Sequence, residues 1–410
     1  MSAHQRLTRR SALLGAAGAA VTGGARRLGC AAAGQTPAVA GASQPPLWLT
    51  AAQRGLVYGT AMSTRLLADE AYTRLVHREA ALLLTEDDLL WYKLKPTPDA
   101  DLDFRDGDRF MAFAEQRRKR VLGAHLVWDD GFGDGWTDDD LWGLAKAEAR
   151  RLLLDTIDRV VGRYAGRVTG WIVVNEAVDA HEDGGLRRDV PWAQTIGPTY
   201  VAESFRAAHA ADRDTLLVLN EFGFETDDPF GRAEDKRRQA LLVLDRLLAA
   251  DVPVHALGVQ AHLAAANFAD AFDPPGYRRF LADVAARGLT ILITELDVLD
   301  DGLPADTAVR DRAVADAYRR YLEVALDEAA VTSVVTFGLS DRHTWLEEDD
   351  PRRDGVPRRP LPFDDHLRPK PAYHALADAL ANAERRRSLW RSGEPPLPDP
   401  AAVPQTESRA

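Results

Sequence analysis

The sequence predicts an α/β fold, a closed (β/α)8 TIM barrel. Short apolar runs rich in β-branched residues alternate with longer amphipathic stretches through the whole middle of the chain, the βαβα pattern of a parallel sheet. The 410 residues, 46% of them hydrophobic, suffice for one large core of barrel size. Polar residues close one apolar run after another, which is where a barrel builds its active site. An open doubly wound sheet shares the alternation. However, no G-x-G-x-x-G turn follows the first strand, which disfavours a dinucleotide-binding sheet.

Eight runs are expected as strands: GLVYGTA near 55, AALLLT near 80, RVLGAHLVW ending at Trp128 and GWIVVNE ending at Glu176, followed by TLLVLNE ending at Glu221, ALGVQAHL near 260, LTILITELD near 293 and VTSVVTFGLSD near 336. Between them TDDDLWGLAKAEARRLLLDTIDRVVGRY opens with Thr and Asp caps and repeats apolar residues at three and four, as a helix does. DRAVADAYRRYLEVAL near 315 has the same pattern. The acidic stretch DDGFGDGWTDDD, 129–140, misses the calcium-loop spacing and is expected as a barrel-top loop plus a helix cap.

The two ends read differently. Residues 1–40 hold a basic start, a small-residue apolar stretch and AVA at 38–40 as a cleavage site, an export leader. Arg9 and Arg10 give it the twin-arginine form, whose cargo crosses already folded, so a secreted or periplasmic location is expected. The apolar part is shorter than the roughly 20 residues a membrane span requires, so no membrane association is expected. The single cysteine, Cys30, lies in this leader and leaves the mature chain without a disulfide; lipid attachment there is disfavoured by the arginines before it. Residues 385–410 are rich in Pro and charge and are expected as a disordered tail, leaving 41–384 as one catalytic domain, expected as a monomer. A net charge of −12 repels polyanions and sets nucleic acid aside.

The strand-closing residues include Trp128 with Asp129, Asn175 with Glu176, Asn220 with Glu221, Gln260 with His262, Glu295 with Asp297, and Asp341 with Trp345. A single terminal carboxylate is ordinarily a solvated or capping acid. The set carries more, because Glu176 and Glu295 on strands four and seven would face each other across one mouth. Glycoside hydrolysis needs such a pair, one acid to protonate the leaving oxygen and one carboxylate to attack or stabilise the oxocarbenium-like centre. Trp128 and Trp345 would offer flat apolar faces to a sugar ring.

In order and spacing, WIVVNEAVD, GVQAHL, ITELDV, FGLSDRHTWL and LRPKPAY resemble the motifs of glycoside hydrolase family 10, the endo-β-1,4-xylanases. The likeness spans about 52–380 and includes YGTAMSTRLLADEAYTRLVHREAALLLTEDDLLW and FRAAHAADRDTLLVLNEFGFE. It implies a retaining mechanism on xylan or a related β-linked polysaccharide, with no cofactor and no metal. Glu176 would be the acid/base and Glu295 the nucleophile, about 5 to 5.5 Å apart. Asn175 would bind the sugar 2-hydroxyl, Gln260 would line the same subsite, and His262 with Asp297 would hold and tune Glu295. Trp345 would close over the ring, with Glu86 and Phe337 among the substrate contacts.

Several positions depart from the family pattern. E-N-E-M-K-W is EDDLLW here, keeping Glu86 and Trp91 but placing Asp87, Asp88 and Leu90 where Asn, Glu and the sugar-binding Lys stand. G-H-T-L-V-W-H is GAHLVWD, with Ala124 and Asp129 at the two His positions and His125 shifted by one. On a continuing strand that shift turns His125 toward the helices, away from the site. The eighth-strand Trp is Phe337. These changes leave the bond-breaking residues in place and alter the glycone pocket, so another β-linked glycan or a non-catalytic sugar-binding role stand as alternatives to xylan hydrolysis. A metal-dependent barrel hydrolase is disfavoured, since His125, His262 and His343 are scattered and no H-x-H closes the first strand.

Overall fold

A computed structural model of the chain describes residues 44–386. The expected leader, 1–40, and most of the expected tail lie outside the described residues. Arg386 still belongs to the folded unit: its backbone N–H donates to Arg54 O at 2.9 Å, and its guanidinium donates to the carbonyls of Leu326, Glu328 and Val331.

The strands are β1 (Val57–Met62), β2 (Leu82–Thr85), β3 (Arg120–Gly123), β4 (Gly170–Asn175), β5 (Leu216–Glu221), β6 (Ala256–Val259), β7 (His262–Ala264), β8 (Thr290–Leu299) and β9 (Val331–Thr336). β1 to β6, β8 and β9 pair in parallel in that order, and β9 returns to β1, so eight strands close the expected barrel. The sixth run arrives in two pieces. Ala261 takes φ 62°, a left-handed conformation that ends β6, and β7 restarts alongside Asp297–Leu299.

Alternation along each strand sorts the side chains. Val57, Ala61, Leu82, Leu84, Leu122, Ile172, Val218, Leu292 and Val335 pack one another in one buried cluster, while Tyr58, Leu83, Trp171, Leu217, Leu257 and Ile293 join the larger cluster that includes the helices. Burial on both faces is why the runs are apolar throughout. Gly123 is required where it stands, since a Cβ there would lie 2.4 Å from the Trp171 ring.

Two expectations on element bounds are corrected. The third strand stops at Gly123, five residues before Trp128, although Leu126 and Val127 still donate to Ile172 O and Val173 O of β4. The helix expected to begin at Thr137 is two helices, Asp138–Trp142 and Lys146–Arg163. Thr137 and Asp140 form a capping box at the first, as the cap expectation required, and Gly143 closes it. The helix near 315 runs over Thr307–Ala325, capped by Asp306 on Val309 N–H. Among the described residues no helix is long and apolar enough to cross a membrane.

Candidate active site

Successive residues of a strand face opposite ways, so Asn175 and Glu176 would not share a site on a regular strand. β4 ends at Asn175, and Glu176 takes φ 56°, the left-handed region that non-glycine residues rarely occupy. The turn brings both side chains together, with Asn175 Nδ2 3.3 Å from Glu176 Oε1. Gln260 Nε2 also donates to that oxygen, at 3.1 Å, and Trp128 Nε1 donates to Oε2 at 3.1 Å. The Glu176 carboxylate is thus held by donors that follow or close β3, β4 and β6. Beneath it Glu221 is buried and accepts the N–H of Val178 at 2.7 Å, with Lys236 3.1 Å away, which fixes the segment after Glu176.

Glu295, near the middle of β8, is tied to this group through Asn220. Asn220 Nδ2 donates to Glu295 Oε1 at 2.7 Å and to Asn175 Oδ1 at 2.8 Å, while its Oδ1 accepts Thr294 Oγ1 at 2.7 Å. The Thr294 hydroxyl fixes the amide's orientation, since the donor end must then face the carboxylate. Two amides therefore link the two carboxylates in one hydrogen-bonded row. Asn220→Ala is expected to lower kcat on a dinitrophenyl glycoside roughly 10- to 100-fold, because a hydrogen bond to a charged group contributes about 1.5–3 kcal/mol and favours the return of Glu295 to its charged form; steady-state kinetics on that aryl glycoside checks it.

His262 and Asp297 lie together as the resemblance implied. His262 Nδ1 is 2.8 Å from Asp297 Oδ1 and Nε2 is 3.4 Å from Glu295 Oε2. Glu295 and Asp297 are two apart on β8 and share a face. Burial works against charge on His262, but Asp297 and then Glu295 outweigh it and push its pKa up to about 10. Burial likewise raises Glu295, yet the His125 and His262 imidazoles that face it outweigh that and hold the carboxyl well below the usual range. Trp345 Nε1 donates to Asp297 Oδ2 at 2.8 Å, and the rings of Trp345 and Phe337 each stand 5.6 Å from His262. Trp128 and Trp345 are buried, and each donates its N–H to an acid.

One placement is corrected. His125 is not turned toward the helices: its Nε2 lies 3.5 Å from Glu295 Oε1. The strand rule fails because β3 has already ended at Gly123, so alternation no longer governs the segment; the Ala124–His125 peptide is cis. Lys93 sits on the short helix Trp91–Leu94 with Nζ 3.0 Å from Asp87 and 2.9 Å from Asp88. Asp88 accepts both the N–H and the hydroxyl of Thr64, and Glu86 pairs with Arg65 at 3.0 Å.

Sequence reading missed Arg187. It grips Asp129 through Nη1 at 2.9 Å and Nη2 at 2.7 Å and donates to Glu176 O at 3.1 Å. Burial pushes the Asp129 carboxyl up, against Arg187, with Glu176 adding to the rise. Arg187→Ala strands that carboxylate and is expected to destabilise the fold by about 3 kcal/mol, the low end for a broken buried pair because Asp129 keeps some solvent contact. Urea unfolding measures this, and adding Asp129→Asn should recover part of the loss.

The model of glycosyl hydrolase family 10 matches residues 47–379, nearly the whole described chain. The chain is a member of glycosyl hydrolase family 10. Endo-1,4-beta-xylanase 5 of Pyricularia oryzae is 30% identical over 344 residues, spanning 81% of this chain and 78% of the relative. The thermostable celloxylanase of Thermoclostridium stercorarium is 30% identical over 327 residues, 74% of this chain and 80% of that protein. Native xylanase 10B from Thermotoga maritima superposes with a TM-score of 0.71 at 28% identity, covering 82% of this chain and 98% of that one. This family 10 chain is accordingly a glycoside hydrolase. Leu90 and Ala124 are both buried, and Ala124 packs in the barrel-interior cluster, so neither supplies a polar group to the family 10 cleft.

Proposed function

We propose that this protein is an endo-β-1,4-xylanase that cleaves with retention of configuration, through Glu176 as acid/base and Glu295 as nucleophile. The observation that carries the roles is the asymmetry of the two carboxylates. Glu295 is held ionised between an amide donor and two imidazoles, as a nucleophile must be. Among the described residues, the groups donating to the Glu176 oxygens are the neutral N–H donors of Trp128, Asn175 and Gln260, with no cationic side chain beside them.

In the first step a Glu295 oxygen forms a bond to the anomeric carbon as the glycosidic C–O bond breaks, and Glu176 gives its proton to the departing oxygen. Glu176 is then a carboxylate. It takes a proton from water as the water oxygen bonds to the anomeric carbon, and the ester bond breaks to return Glu295 to its charged form. Two inversions give net retention. Asn175 hydrogen-bonds both Glu176 and Asn220, which supports a role for it in binding the ring hydroxyl beside the reacting carbon. Trp345 and Phe337 flank His262 and would bound the ring.

Hydrolysis of another β-1,4-glycan is the second reading, favoured by Leu90 and Ala124 in place of polar family residues and by the relative named a celloxylanase. Loss of a designed hydrogen-bond donor changes sugar discrimination by orders of magnitude. Reducing-sugar release from xylan, mixed-linkage glucan and cellulose by the domain 41–386 decides between them. Xylan preferred supports the first reading, glucan or cellulose preferred the second, and binding without turnover of any glycan contradicts both. We infer export from the leader, with Arg9 and Arg10 as its recognition element. Arg9→Lys with Arg10→Lys should leave the enzyme in the cytoplasm, as fractionation would read.

A further inference from the structure

Glu295 has one partner more than the retaining reading calls for. Asn220 serves Oε1 and His262 faces Oε2, yet His125 also brings Nε2 to 3.5 Å from Oε1. His125 is 1% exposed, and neither ring nitrogen forms a hydrogen bond of ordinary geometry among the described residues. Its ring stands 5.3 Å from that of Trp128, whose N–H holds Glu176. A buried imidazole with both nitrogens unbonded is costly for the fold and marks a group kept for work in the site.

We propose that His125 is a positioning residue for Glu295, its Nε2–H directed at Oε1 while His262 faces Oε2, so that the nucleophile attacks and departs from between two imidazoles. This rests on the retaining reading above. The Glu295 charge is consumed when its oxygen bonds the anomeric carbon and returns when that bond breaks. A donor on Oε1 favours the charged form. It therefore restrains the first step and hastens the second, keeping the glycosyl-enzyme short-lived. The neutral ring with its proton on Nε2 and the imidazolium both supply that donor. Other ionisable groups face the carboxylate too: His262 from β7 with Asp297 behind it on β8, and Glu176 at the end of β4, backed by the Asp129–Arg187 pair. Each is common to the variants below, so a difference among them belongs to position 125.

The test compares wild type with His125→Leu, which keeps bulk without a donor, and His125→Gln, whose amide restores one. The substrates are the 2,4-dinitrophenyl β-xylobioside and β-cellobioside, whose leaving group needs no proton. Losing a donor raises the carboxyl pKa, so the nucleophile is protonated sooner as pH falls. The acidic limb of kcat/KM should move up by about one pH unit in His125→Leu and by much less in His125→Gln, a unit being a tenfold change in ionisation equilibrium. Breakdown of the glycosyl-enzyme should slow about tenfold in His125→Leu, giving a burst of dinitrophenolate and a covalent adduct visible by intact mass. If the Leu variant does not fold, His125→Asn, whose shorter amide falls short of Oε1, is expected to show the same limb shift. An unmoved limb without adduct in the donor-less variant, or equal shifts in Leu and Gln, overturns the proposal. A wild type that releases no dinitrophenolate from either substrate contradicts the retaining reading itself.

Discussion

Glu295→Ala is expected to abolish turnover of polysaccharide and of activated aryl glycosides alike, lowering kcat by about 10⁴-fold or more. No other carboxylate stands in for it, because the groups that prepare this position point at this one side chain. Asn220 Nδ2 at 2.7 Å, His262 at 3.4 Å and His125 at 3.5 Å all converge on its two oxygens. With the side chain gone, the cavity beside the anomeric carbon admits a small anion. Azide should then restore turnover of a dinitrophenyl glycoside and yield a product of inverted configuration, from a single displacement on the nucleophile's face. The paired readout separates loss of the nucleophile from loss of the fold.

Glu176→Ala should behave differently on the two kinds of substrate. Polysaccharide cleavage needs a proton on a poor leaving group, and its rate should fall by about 10²- to 10⁴-fold, the usual worth of general acid catalysis. A dinitrophenyl glycoside needs no proton to depart, so Glu295 should still be glycosylated at a near-normal rate, and the adduct should then wait for a base that is absent. Steady-state kcat drops while a burst survives. Azide should relieve this variant too, but with retained configuration, because it attacks the glycosyl-enzyme from the side Glu176 occupied. Opposite stereochemistry from the two azide rescues assigns the two roles independently of rate.

Much of this arrangement was legible in the sequence. The barrel could be read because strands buried on both faces leave uninterrupted apolar runs, and Glu176, Glu295 and Asp297 could be read because a barrel's chemistry gathers where such runs end. His125 was misplaced because alternation applies only while a strand lasts, and β3 ends at Gly123. Asn220 was visible as a strand-closing amide. That it joins the two carboxylates depends on β5 lying against β4, with Asn220 opposite Asn175, a register no local pattern encodes. Arg187 sits in an aperiodic loop, 58 residues from the Asp129 it grips. The one available signal was Asp129 itself, a carboxylate set right after a buried Trp and therefore in want of a cation.

The central claim is that two carboxylates, Glu176 just after β4 and Glu295 within β8, work as acid/base and nucleophile in a double displacement. Proton NMR of the first product formed from a xylo-oligosaccharide, recorded before mutarotation, tests it most directly. A β-anomer appearing first, then equilibrating with the α form, is the predicted result. An α-anomer appearing first would mean that water attacks directly, and Glu295 would be a base and not a nucleophile.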